Sequence, residues 1–139
     1  MKYLIYISTA VKLMNDDDLC DILNTSRSNN QVLNVTGMLI YSEGTFIQVL
    51  EGDEIAVNKI YKDIEQDLRH KNIIKLIDEV LAGRNFPNWS MAFVTVNAAA
   101  LEELEGYINP DNSNFMETDN RHAAVMMLKT FAENNRITG

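Results

Sequence analysis

Thr-Gly-Met-Leu-Ile-Tyr-Ser-Glu-Gly-Thr-Phe-Ile-Gln-Val-Leu-Glu, residues 36–51, reads as two strands folded back on each other. Thr36–Tyr41 and Thr45–Glu51 are rich in β-branched and aromatic residues, and in the Ser-Glu-Gly turn between them Gly44 can supply a positive φ. Alternation along the second strand puts Phe46, Gln48 and Leu50 on one face, with Ile47 and Val49 on the other. Gln48 therefore stands in an apolar row whichever face is buried. A buried amide without partners costs about 1–3 kcal/mol, so a polar group is expected opposite it.

Outward from this hairpin the pattern repeats. Residues 2–8 read as a first strand, with Leu4, Tyr6 and Ser8 on one face and Tyr3, Ile5 and Ile7 on the other. A helix is expected from about Asn15, which can cap it, with Asp16, Asp17 and Asp18 complementing its positive end, and it continues to about Asn30. Ile55, Val57, Ile60, Tyr61, Ile64 and Leu68 recur near helical spacing and predict a second helix over Asp53–Leu68. That helix would hold Arg69 and His70 at its last turn. Ile73–Leu81 reads as a fourth strand and Trp89–Val96 as a fifth, in which Trp89, Met91 and Phe93 share a face. The order βαββαββ predicts an α+β, ferredoxin-like sandwich, with a five-stranded mixed sheet and both helices on one face. Beyond it, a short acidic helix near Ala99–Gly106 and a helix over Glu117–Asn134 are expected to pack on the other face. The chain thus divides into a sensor-sized unit, residues 1–97, and a carboxyl-terminal helical cap, residues 98–139.

Composition excludes several classes of function. The 139 residues, 46% hydrophobic and 23% charged, fit one ordinary globular domain, and no apolar run approaches the roughly 20 residues of a membrane-spanning helix. The net charge of −8 would repel a nucleic-acid backbone. The basic cluster Arg69-His70-Lys71 suits at most one small anionic ligand. The opening MKYLIYISTA alternates like a strand and runs into an Asp-rich segment, so Met1 is read as the start of a cytoplasmic chain and not of a signal peptide. Cys20 has no partner for an internal disulfide, and His70, His122 and Cys20 offer no metal-ligand spacing.

Taken singly, the polar candidates have ordinary explanations. Tyr6 could be a core tyrosine reaching a backbone carbonyl, Asn29 and Asn30 helix-ending residues, Arg69 and His70 favourable charges at a helix end, and Trp89 and Met91 core residues. Gln48 resists that treatment. Ser26 and Asn30 continue the inward stripe of Leu19, Ile22 and Leu23, so the face of the first helix turns polar at its carboxyl end. The topology can bring Tyr6, Ser26, Asn29, Asn30, Gln48, Arg69 and His70 around one cleft, where they could ring a planar heterocycle.

The segments Leu-Ile-Tyr-Ile-Ser (4–8), Ser-Arg-Ser-Asn-Asn (26–30), Val-Thr-Gly-Met-Leu (35–39), Phe-Ile-Gln-Val-Leu-Glu-Gly (46–52), Asp-Leu-Arg-His (67–70) and Arg-Asn-Phe-Pro-Asn-Trp-Ser-Met (84–91) together resemble the BLUF domains. The resemblance implies a blue-light photoreceptor, not an enzyme, that holds FAD non-covalently, FMN being an alternative, between the two helices. It implies that Tyr6 donates an electron and a coupled proton to the photoexcited flavin, and that Gln48 lies between Tyr6 and the flavin. Rearrangement of the Gln48 amide would then shift absorption slightly to the red. Asn30 would bind the ring's carbonyl and imide edge, supported by Asn29 and Ser26, while Arg69, His70 and Asp67 contact its pyrimidine edge or side chain. Trp89 and Met91 would carry the signal outward. Asn34 stands where the family often has glycine, and asparagine tolerates the same left-handed backbone. With no effector segment expected after the sensor, output would pass to a downstream protein or a homo-oligomer interface, without nucleic acid or membrane.

Two other readings compete. An acylphosphatase-like hydrolase wants a Gly-rich, Arg-bearing loop after the first strand, and Thr9–Asn15 contains neither residue. A ferredoxin-like regulatory module binding a colourless metabolite or only protein is the main alternative, and colour separates it from a flavoprotein.

Overall fold

A computed structural model describes residues 1–12, 15–42, 44–84 and 92–95. The expected helices over Ala99–Gly106 and Glu117–Asn134, and residues Trp89 and Met91, lie outside the described residues. Strands β1 (Lys2–Ala10), β2 (Thr36–Ser42), β3 (Thr45–Gly52) and β4 (His70–Val80) form an antiparallel sheet in the order β4-β1-β3-β2. Helix α1 (Asp16–Val32) links β1 to β2, and α2 (Glu54–Glu65) links β3 to β4. A short strand β5 (Ala92–Thr95) runs parallel to β2 at the sheet's outer edge.

Local chemistry sets the boundaries. The Asn15 side chain accepts from the Asp18 amide at 2.8 Å while Asp18 accepts from the Asn15 amide at 3.2 Å, a capping box that contributes about 1 kcal/mol. At the far end Asn34 takes a left-handed backbone, φ 54°, and turns the chain into β2. The second helix is shorter than its spacing predicts. It stops at Glu65, so Leu68 falls in the following turn and is 89% exposed, and Ile55 near its start is 84% exposed. Arg69 and His70 accordingly do not occupy a last helical turn; Arg69 lies in the connection and His70 opens β4.

Both helices pack on the sheet face that carries Leu4, Tyr6, Leu39, Tyr41, Phe46 and Leu50, where Leu19, Leu23, Ala56, Val57 and Ile60 complete one core. Leu4, Leu23 and Leu50 are fully buried, each contributing about 1.5–3 kcal/mol. The opposite face, with Ile5, Met38, Ile40, Ile47 and Val49, is buried as well. Two irregularities in the β1–β4 pairing bend β4 and set Lys75 opposite Tyr6. Among the described residues no helix is long and apolar enough to cross a membrane.

Candidate functional site

A cleft opens between the helices over the middle of the sheet. Its floor is Tyr6 from β1, Phe46 and Gln48 from β3 and Leu39 from β2. One wall is α1, with Ile22, Thr25, Ser26, Asn29 and Asn30; the other is α2, with Ile60, Asp63 and Ile64, continued by Asp67, Arg69 and His70. The pairing register explains the centre of this arrangement. Tyr6 is paired with Gln48, and Gln48 with Leu39, so their side chains rise in one row on the helix side.

The Tyr6 hydroxyl donates a hydrogen bond to Gln48 Oε1 in this buried row. Here is the polar group expected opposite Gln48, and the carboxamide oxygen turned to Tyr6 leaves the NH2 on the other side. Burial, reinforced by the negative charge of Asp67, pushes the Tyr6 phenol well above its ordinary range. Tyr6 therefore holds its proton and acts as a donor. Its ring lies 5.8 Å from that of Tyr61 and 6.2 Å from that of His70.

His70 ties the cleft's end together. Its Nε2 lies 2.6 Å from the Ile64 carbonyl, and since a carbonyl only accepts, Nε2 carries a hydrogen. The other nitrogen, Nδ1, meets the Ser8 hydroxyl at 2.8 Å. Arg69 closes on Asp67 in a two-pronged pair, Nη2–Oδ2 at 2.5 Å and Nε–Oδ1 at 2.9 Å, and Asp67 Oδ1 also accepts from the Arg69 amide. These bonds hold the Asp67 carboxyl below the usual carboxylate range and raise Arg69, so both stay charged at the rim. Asn30 is buried, Ser26 half-buried and Asn29 exposed at the cleft's edge.

The cleft thus assembles every expected binding residue within the described part of the chain. It adds Thr25 and Asp63, which a reading of the stripes around Ile22 and Ile60 at helical spacing would have reached. Among the described residues no group of three His, Cys, Asp or Glu side chains is placed to hold a metal ion.

The model of a family described as sensors of blue light using FAD matches residues 1–92. The chain belongs to the BLUF family. It is 36% identical over 93 residues to the photoactivated adenylate cyclase subunit beta of Euglena longa, covering 66% of this chain and 11% of that protein. It is 30% identical over 113 residues to the blue light- and temperature-regulated antirepressor BluF of Escherichia coli, covering 80% of this chain and 28% of that one. The chain therefore spans about a tenth to a quarter of the length of these relatives. The dark-state structure of the BLUF protein BlrB superposes with a TM-score of 0.66 at 32% identity, covering 70% of this chain and 74% of that one.

The lining fits the family's flavin. Ile22, Leu39, Phe46, Ile60 and Ile64 offer apolar surface to a flat tricyclic ring, while the amides of Asn29, Asn30 and Gln48 offer donors and acceptors to its heteroatom edge. Arg69 lines the rim with its guanidinium held by Asp67.

Proposed function

We propose that this BLUF chain is a non-enzymatic photoreceptor that holds FAD, or FMN in its place, non-covalently between α1 and α2, and signals through Gln48. The observation that carries this reading is the buried Tyr6–Gln48 hydrogen bond at the floor of the cleft. When bound, the flavin supplies absorption of blue light and a strongly oxidising excited state. Tyr6, a neutral phenol held by burial, would be the electron donor, its hydroxyl proton passing along the bond to Gln48 Oε1 and returning to Tyr6 when the electron returns. The Gln48 carboxamide would be left rearranged, with Tyr6 and the ligand as its two competing partners. Asn30, Asn29 and Ser26 orient the heteroatom edge, and His70, Arg69 and Asp67 hold the end of the cleft. A two-state element next to Gln48 converts the exchanged hydrogen bonds into output.

The finer organisation belongs to the same proposal. Residues 1–97 are the flavin-binding photosensor and residues 98–139 a helical cap. The buried apolar row Ile5, Met38, Ile40, Ile47 and Val49 supports a cover on the face away from the helices. Trp89 and Met91 relay the signal from the β5 side of the sheet, and the receiver is a cytoplasmic partner protein or a second copy of the chain.

Flavin titration into apoprotein tests the cleft. Asn30→Ala removes one buried amide and is expected to weaken binding about tenfold, the loss of about 1.4 kcal/mol, while Ser28→Ala on the exposed side of α1 leaves it unchanged. Equal affinity for wild type and Asn30→Ala would place the flavin elsewhere.

A further inference from the structure

Oxidation of Tyr6 would leave an electron vacancy beside a second, chemically equivalent phenol. The Tyr61 ring, on α2, lies 5.8 Å from that of Tyr6 and is tilted by 51° to it, close enough for an electron to pass between them. Tyr61 is half-buried, and burial together with the carboxylates of Glu65 and Asp78 raises its phenol above the ordinary range, so it too is a neutral electron donor. If Tyr61 filled the vacancy, Tyr6 would recover its electron and take its proton back from Gln48 Oε1 before the carboxamide had rearranged. The Tyr61 proton would pass to water, and the vacancy would sit on the wrong ring.

A cation opposes that transfer. Lys75 Nζ stands 5.1 Å from the centre of the Tyr61 ring, within the range where an ammonium is attracted to the ring's electron-rich face. Removing an electron from the ring turns this attraction into repulsion between two positive charges, so Tyr61 becomes harder to oxidise. The nearby carboxylate does not cancel the cation. Asp78 accepts from Lys75 at 3.0 Å and also pairs with Lys2 at 2.7 Å, so two ammonium groups share one carboxylate. Glu65, exposed on α2, pulls the other way through solvent, whereas Lys75 sits over the ring itself. The strand is bent to put it there. Regular pairing onward from Ile5↔Ile77 would set Leu76 opposite Tyr6; the irregularity between Ile5 and Tyr6 sets Lys75 there instead, on the face that carries α2.

We propose that Lys75 keeps Tyr61 from reducing the Tyr6 radical, so that the vacancy stays beside Gln48 until the electron returns from the flavin. This consequence rests on the photosensor reading, in which the photoexcited flavin is the oxidant; the effect of Lys75 on the Tyr61 ring does not.

Two measurements on the full chain test it. In darkness, the neutral azide radical made by pulse radiolysis removes single electrons from accessible tyrosines, and peptide mass spectrometry counts the oxidation at Tyr61. Lys75→Met keeps the reach of the side chain without its charge and is expected to raise Tyr61 oxidation about threefold or more, with Lys75→Arg close to wild type. Under blue light, the red shift formed per absorbed photon is expected to fall about threefold or more in Lys75→Met and to return in Lys75→Met/Tyr61→Phe, which has no second phenol to compete. Unchanged Tyr61 oxidation in Lys75→Met, or an equal rise in Lys75→Arg, would overturn the proposal. So would an undiminished red shift in Lys75→Met, or a loss that persists once Tyr61 is removed. A wild-type chain whose flavin spectrum does not move in light would refute the photosensor reading, while the dark oxidation would still decide the effect of Lys75 on Tyr61.

Discussion

Gln48→Leu is expected to retain flavin and to lose the light-induced red shift completely. Leucine fills nearly the same volume in a row where Gln48 is only 2% exposed, so the cleft keeps its shape. What disappears is the carboxamide, the group that bonds Tyr6 and whose rearrangement is the proposed signal. The Tyr6 hydroxyl is left buried without that acceptor, which costs about 1–3 kcal/mol and lowers the urea midpoint without unfolding the chain. Light-minus-dark absorbance of the variant, with its dark flavin spectrum as proof of loading, is the relevant measurement. A wild-type shift in this variant would move the photochemical switch away from Gln48.

The largest loss of stability is expected from Gly37→Ala. β2 and β3 approach so closely at Gly37 that a Cβ there would lie 1.9 Å from the Val49 carbonyl oxygen and 2.9 Å from its carbon. The obstacle is backbone in the sheet's centre, so no side chain can swing aside. Relief requires parting β2 from β3 beside the pairs Gly37↔Leu50 and Met38↔Val49, through the middle of the core. The expected cost is about 4 kcal/mol or more, enough to leave much of the chain unfolded. Urea unfolding followed by circular dichroism would show it, and a variant within about 1 kcal/mol of wild type would mean that the two strands separate freely there.

Strand periodicity made the hairpin of β2 and β3 legible, because Gly44 marks the turn and the alternation across Phe46–Leu50 is unbroken. The odd polar member of that row, Gln48, pointed to the site for the same reason: burial of an amide requires a partner, and Tyr6 alternates onto the matching face. Less legible was the end of α2. Leu68 keeps the helical spacing, yet Asp67 accepts the Arg69 amide and guanidinium, and this local side-chain bonding competes with another helical turn. Alternation alone also could not choose between the two faces of β1, since Leu4, Tyr6 and Ser8 and the opposing Tyr3 and Ile5 are all buried. Arg84 carries no periodic signal at all. Its acceptors lie on β2, β3 and the turn before them, far away in sequence, and only the strand order brings them together.

In the proposed function a flavin over Tyr6 and Gln48 reports light through their hydrogen bond. The most direct test is the absorption spectrum of the chain purified in darkness, before and after blue illumination. The expected result is a flavin spectrum whose visible bands move slightly to longer wavelength and return in the dark. A colourless protein that takes up no added flavin, or a bound flavin whose spectrum does not move under light, would contradict it.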